Sequence, residues 1–294
     1  MMEPALAKLA ASTGGIVHLS TRPSFASMVS LMPHVKLANY TSFRRASSVY
    51  SFSERFQAAF KALIARSSEK RLFAIVQEHI RPWHHLVYHS GCFVTPRTAN
   101  YQAEHFFNSI PGPSPFPFRP PQLRVPPADW LPSGLPPKYV LLHGSAAWQR
   151  KAWPAQNWAA VLNELHAEGI GPFVLTGGTE AWERELAAAI QLSTKAPVLN
   201  LSGKTSLKEY LATIAFAQMA LCVDGSATHL AAAFKRPSVS LFGPTPAERW
   251  FYKTPSSVLV DARSFTTEER PAVSCIPIGA VTTAVLDLWA KNTS

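Results

Sequence analysis

Between residues 111 and 137 the chain carries 11 prolines, in Pro-Gly-Pro-Ser-Pro-Phe-Pro-Phe-Arg-Pro-Pro and again in Leu-Pro-Ser-Gly-Leu-Pro-Pro. Proline lacks a backbone donor and fixes one dihedral, so such a run forms neither a helix nor a central strand. It reads as a semi-rigid connection, with Phe116, Phe118 and Trp130 laid against a domain surface. A chain of 294 residues broken near its middle has room for two compact domains. The expected organisation is a first domain over 1–110, the Pro-rich linker over 111–137, a second domain over 138–278 and a C-terminal helix over 279–294.

After the break, short apolar runs alternate with amphipathic stretches, the pattern of a parallel sheet covered by helices. Strands are expected over 139–143, 172–176, 198–201, 220–224, 238–242 and 258–260. Helices are expected over 157–168, 180–191, 206–217, 227–235 and 279–291. This is the doubly wound α/β class that binds nucleotides. The first half shows similar grammar: helix over 4–11, strand over 16–20, helix over 24–31, strand over 35–39, a helical region over 52–65, a strand over 85–89 and a helix over 101–109. It opens on a helix with no strand before it.

Charge divides the chain as clearly as proline does. Residues 1–137 hold 14 Lys or Arg against 6 Asp or Glu, whereas the remainder holds 14 against 12. The first half is therefore the side suited to a polyanion, be it phosphorylated glycolipid, anionic membrane surface or nucleic acid; a generic basic surface is the plainer account. The apolar runs are too short for a membrane-spanning helix. The first residues lack a secretory signal, so a cytoplasmic protein is expected. Cys92, Cys222 and Cys275 are too scattered for a disulfide framework or a multi-cysteine metal site, and read as reduced, mostly buried thiols.

Four strand ends could carry chemistry. Cys222-Val223-Asp224-Gly225-Ser226-Ala227-Thr228-His229 runs from an apolar strand into a helix, where amides around Gly225, Ser226 and Ala227 can face a diphosphate. Asp224 would organise the turn or accept hydrogen bonds from a sugar or from loop amides; alternatively Asp224 and Ser226 cap the helix and His229 is merely packed. On the loop His143 to Pro154, Lys151 or its neighbour Arg150 can meet a phosphate, while Trp153 and Trp158 read as core anchors. In Leu175-Thr176-Gly177-Gly178-Thr179-Glu180, paired glycines admit a close ligand and Glu180 can bind a ribose or adenine edge, or simply favour a helix start. Finally Gly243 and Thr245, in Phe242-Gly243-Pro244-Thr245-Pro246, can wall the same pocket or form a plain turn.

No competing catalytic set is visible. The chain has no GxSxG nucleophile elbow, no GxxxxGKS or GxxxxGKT phosphate loop, no HExxH and no GxGxxG. His79, His84, His85 and His89 fit no recognised metal spacing. Nucleic acid is not an expected partner, since no recognition-helix pattern or aromatic platform accompanies the charge. No cofactor and no metal are expected.

In order and spacing these segments resemble the lipopolysaccharide heptosyltransferase family, glycosyltransferase family 9. Family members carry Lys-x-Trp-Pro, as at Lys151 to Pro154; Gly-Gly followed closely by Glu, as at Gly177 to Glu180; and a segment similar to Leu201-Ser202-Gly203-Lys204-Thr205-Ser206-Leu207. An aspartate-led turn ending in His-Leu-Ala-Ala-Ala follows, then Phe-Gly-Pro-Thr at Phe242 to Thr245. Weaker likeness extends to Cys275-Ile276-Pro277-Ile278 and to Glu3-Pro4-Ala5-Leu6-Ala7-Lys8-Leu9. The turn departs from the usual Asp-Thr-Gly or Asp-Ser-Gly: here it reads Asp224-Gly225-Ser226, with hydroxyl and glycine exchanged.

The resemblance implies a GT-B type fold, two Rossmann-like doubly wound domains facing a cleft, the N-terminal one incomplete. It implies transfer of heptose from ADP-heptose to the lipopolysaccharide inner core by an inverting mechanism, with lipid A/lipopolysaccharide core as acceptor and the anionic inner-membrane surface as a neighbour. Lys151 would contact donor phosphate, Glu180 the nucleoside, and Asp224, Gly225, Ser226 and His229, with Gly243 and Thr245, the rest of the donor. The aspartate that serves family members as catalytic base belongs ahead of the Pro-Ala-Leu helix and has no counterpart here, so the catalytic residue is unassigned. A misplaced start codon or a truncated gene product is the expected cause. The alternatives are a transferase using another nucleotide sugar, or a non-catalytic nucleotide-sugar-binding remnant. The expected location is the cytoplasm, with or without peripheral attachment to the cytoplasmic face of the inner membrane.

Overall fold

The computed structural model of the chain describes residues 1–41, 46, 48–53, 55–65, 71–75, 82–88, 90–92 and 101–293. His79 and His89 lie outside the described residues. The chain divides into two compact units, Met1–Pro120 and Pro121–Ser294, so the division falls inside the Pro-rich run.

The first unit contains α1 (Glu3–Thr13), β1 (Val17–Leu19), α2 (Ala26–Ser30), β2 (Val35–Leu37), β3 (Ser48–Ser51), α3 (Phe56–Ile64), β4 (Arg71–Ile75), α4 (Pro82–Val87), β5 (Ser90–Cys92) and α5 (Gln102–Asn108). β1 and β2 form one parallel pair, and β3, β4 and β5 form a separate parallel sheet in that order. Two sequence expectations are corrected. The segment expected as a strand over 85–89 is mainly the helix α4, opened by Pro82 at a position where a missing N–H is harmless. The helical region over 52–65 is shorter at its start, where β3 and a connecting stretch precede α3. α1 ends on Gly14, whose φ of 63° suits the left-handed cap and lets its N–H meet the carbonyls of Ala10 and Ala11. Phe116 and Phe118, from the Pro-rich run, pack their rings on Phe107 of α5 at 5.9 and 5.7 Å.

The second unit runs β6 (Val140–His143), α6 (Ala155–Ala167), β7 (Phe173–Thr176), α7 (Ala181–Ser193), β8 (Val198–Asn200), α8 (Leu207–Ala215), β9 (Met219–Val223), α9 (Ser226–Ala233), β10 (Ser238–Phe242), α10 (Ala247–Trp250), β11 (Ser257–Asp261) and α11 (Ile278–Thr293). Its six strands are all parallel in the order β11-β10-β9-β6-β7-β8. Every residue of β6, β7, β9 and β10 is buried, which is why these strands read as unbroken apolar runs rather than alternating ones.

Trp153 and Trp158 are fully buried and meet edge to face at 4.9 Å, as expected of core anchors. Trp153 also donates through Nε1 to the carbonyl of Ile276 at 3.2 Å, tying the C-terminal segment to the loop before α6. α11 joins the same core through Val281, Val285 and Leu288. α8 starts on a capping box: the Ser206 hydroxyl accepts from the Glu209 amide, and the Glu209 carboxylate accepts from that of Ser206. Among the described residues no helix is long and apolar enough to cross a membrane.

Candidate functional site

The strand order reverses between β6 and β9: from β6 the chain builds outward through β7 and β8, then returns to the other side of β6. Ligands of open parallel sheets sit in the crevice at the carboxyl ends of the strands where this reversal occurs. In this chain the crevice holds a cavity of about 420 Å³, lined by residues following β6, β7, β8 and β9.

On one side Lys151 reaches over from the turn before α6, and its Nζ lies 2.6 Å from Asp224 Oδ2. The Thr245 hydroxyl donates to the same carboxylate oxygen. Asp224 is therefore fixed by two donors from two loops, while its own amide donates to the Leu241 carbonyl at 2.9 Å. Nζ also stands over the Trp148 ring at 5.0 Å. An ammonium has three donors, and the carboxylate takes one, so Lys151 retains the capacity to bind an anion entering the cavity.

Beyond Asp224 the turn delivers Gly225 and Ser226 to the cavity wall, and α9 begins with Gly225 as its N-cap. The exchanged order of glycine and hydroxyl thus still puts the start of α9 at the cavity wall. The Ser226 hydroxyl bonds the Tyr210 hydroxyl at 2.9 Å. Gly243, by contrast, is a packing residue: a Cβ there would lie 2.8 Å from both the Pro271 carbonyl oxygen and the Val273 nitrogen. Gly243, Thr245 and His229 are not among the cavity-lining residues. Thr245 bears on the cavity only through Asp224. Burial pushes the His229 imidazole down to about 4. Arg150 points elsewhere, donating to the Arg270 carbonyl at 3.3 Å.

The opposite side is built largely from backbone. Gly177, Gly178 and Gly203 line it together with Thr179 and Thr205. Glu180 is the N-cap of α7, exposed and outside the lining, whereas Glu183, one turn further on, is on the wall. Glu183 Oε1 accepts from the Gly178 amide at 3.2 Å, and a Cβ on Gly178 would fall 2.1 Å from its Oε2. Gly178 is what lets this carboxylate fold back over the strand end. Sequence reasoning chose the first glutamate after the glycines; the helical offset from the N-cap was the signal that favours the second.

Three more residues escaped the sequence reading. His143 ends β6, shares a hydrogen bond of 3.0 Å between Nδ1 and the Thr176 hydroxyl, and lines the cavity. Burial lowers its imidazole to about 4, with the Glu183 charge acting in the opposite sense. It is thus held neutral. Ser145 and Ser202 are buried, and their hydroxyls have no hydrogen-bond partner among the described residues. They flank Gly177, where a Cβ would lie 3.0 Å from Ser202 Oγ and 3.3 Å from Ser145 Oγ.

With this geometry in hand, comparisons with known proteins converge. The sequence profile of glycosyltransferase family 9 (heptosyltransferase) matches residues 118–274. Lipopolysaccharide heptosyltransferase 3 of Escherichia coli is 34% identical over 139 residues, which cover 44% of this chain and 40% of that protein. Lipopolysaccharide heptosyltransferase 1 of Pseudomonas aeruginosa is 33% identical over 111 residues, covering 37% of this chain and 29% of that protein. The matched stretches thus span well under half of these relatives. Among solved structures, E. coli ADP-heptose lipopolysaccharide heptosyltransferase II superposes with a TM-score of 0.77 at 19% identity, covering 100% of this chain and 95% of that one. An E. coli heptosyltransferase solved with ADP gives 0.71 at 19% identity, covering 98% and 95%. These likenesses show the fold: α/β, of GT-B type, with Rossmann-like units.

Proposed function

Since the chain belongs to glycosyltransferase family 9, the heptosyltransferases, we propose that it transfers heptose from ADP-heptose to the inner core of lipopolysaccharide, with inversion at the anomeric carbon. The observation that carries this reading is the meeting of Lys151, Asp224 and the α9 start on one side of a cavity whose other side offers glycine backbone and Glu183. The first side suits a diphosphate; the second suits a nucleoside, because a carboxylate at a strand end can accept from ribose hydroxyls.

In the reaction the acceptor hydroxyl oxygen bonds to the anomeric carbon as the bond from that carbon to the β-phosphate oxygen breaks. The bonding pair leaves with ADP, and the hydroxyl proton passes to a general base. Charge therefore grows on the leaving diphosphate, where the Lys151 ammonium and the amides of residues 226 to 228 would stabilise it. Asp224 would hold Lys151 in register for that task. The excess of base over acid in residues 1–137, 14 against 6, supports a phosphorylated acceptor at the anionic cytoplasmic face of the inner membrane.

Calorimetry of the full chain against ADP-heptose, ADP and UDP, followed by a radiolabelled transfer assay to heptose-deficient lipopolysaccharide, tests the reading. Binding of ADP-heptose and ADP in preference to UDP, with transfer, is the expected result. Binding without transfer would favour a non-catalytic donor-binding protein. No binding by a folded sample would overturn the donor site itself.

A further inference from the structure

Tyr210 has no place in the sequence motifs, yet it lines the donor cavity from α8 and its hydroxyl meets that of Ser226 at 2.9 Å. Its ring also stands 5.4 Å from that of His143. Each hydroxyl of the pair has one proton to donate. If Ser226 donated to Tyr210, the phenol proton would be left at the half-buried end of the pair, whereas Ser226 is exposed. Leaving a buried donor unpaired is the more costly choice, so the phenol donates and the serine proton is free to turn toward the cavity. Burial pushes the pKa of Tyr210 well above the usual phenol range, which keeps the phenol protonated, and so a donor, at every physiological pH.

Resting on the donor-site reading above, we infer that Tyr210 is a positioning residue that fixes the Ser226 hydroxyl so that its proton points at a phosphate oxygen of the bound nucleoside diphosphate. Ser226 is the hydroxyl that stands one place later than in the usual aspartate-led turn. A hydroxyl is a rotor, and the phenol 2.9 Å away supplies its orientation. Two hydroxyls in series also polarise one another, strengthening the outer bond. The arrangement discriminates by chemistry: it acts on a ligand with a diphosphate and not on a bare nucleoside.

The test is calorimetry of the full chain with ADP and with adenosine, for the wild type, Y210F, S226A and the double variant. Expected is a loss of ADP affinity of about 3- to 10-fold in each single variant, the size of one hydrogen bond to a charged or neutral acceptor. The double variant should be no worse than S226A, and adenosine affinity should not move. Unchanged ADP affinity in Y210F, additive losses in the double variant, or equal losses for ADP and adenosine would overturn the inference while leaving the donor site standing. A wild type that binds no ADP would overturn the donor-site reading and the inference with it. A thermal melt accompanies each variant; should Y210F fail to fold, S226A, at an exposed position, decides by its ADP-to-adenosine contrast.

Discussion

The two sides of the cavity at the strand ends are made in opposite ways. Along β6 and β9 the wall is side chain against side chain, with Lys151 held to the Asp224 carboxylate, which also accepts from Thr245 behind the wall. Along β7 and β8 it is glycine backbone, over which one carboxylate, Glu183, is folded back. The first side is a fixed charge pattern and the second a close-approach surface. The contrast teaches that charge recognition and shape recognition are separable here, so variants on the two sides should fail on different ligands.

The sharpest break is Lys151→Ala. It removes one partner of a pair in which Asp224 is 3% exposed, leaving the carboxylate, among the described residues, with the Thr245 hydroxyl. Losing the charge-assisted bond in this part-buried pair costs about 1.5 to 3 kcal/mol, and denaturant unfolding of this variant should show a loss of that order. ADP affinity should fall by at least about tenfold, the size of a charge-assisted bond, while adenosine binds as before. Unaltered ADP affinity in a folded variant would remove Lys151 from the site.

A smaller effect separates the two glutamates. Glu183→Gln keeps an oxygen for the Gly178 amide but loses the charge, and should weaken ADP and adenosine alike by about 5- to 10-fold. Glu180→Gln, at an exposed helix cap, should leave both within error. Calorimetry of the pair decides; an effect at Glu180 and none at Glu183 would reverse the assignment drawn from the cavity wall.

How much of this was legible in the sequence differs between the two halves of the chain for a physical reason. In the second unit the four inner strands, β6, β7, β9 and β10, are buried on both faces, so their aliphatic runs stand out, and with the edge strands β8 and β11 all six were found within about a residue or two at each end. In the first unit β3, β4 and β5 were missed, since Ser48–Ser51, Arg71–Ile75 and Ser90–Cys92 include serine, arginine or glycine and are not continuous apolar runs. Lys151 and the Asp224 turn were readable because charge, glycine and strand end coincide in sequence. Tyr210, Ser145 and Ser202 were not, since each matters through a neighbour far away in the chain. Glu183 was missed for a local reason: a helix turn, not proximity to the glycines, decides which glutamate faces the cavity.

His143 sits at the seam between the two sides, and its titration gives the smallest effect. Its imidazole drops from 6.5 in the unfolded chain to about 4 in the fold, with burial as the main cause. Between those values the unfolded chain binds the proton and the folded chain does not, so stability increases with pH across the window and is lost as pH falls from about 6.5 toward about 4. From pH 7 to pH 5.5 this single group should remove about 1 kcal/mol. His143→Asn retains a polar atom near Thr176 without the titration. Urea midpoints measured at both pH values should therefore converge more closely in this variant than in the wild type. An equal pH slope in the two proteins would mean that protonation of His143 is not resisted, and that the seam is open to water rather than sealed between the charged wall and the glycine wall.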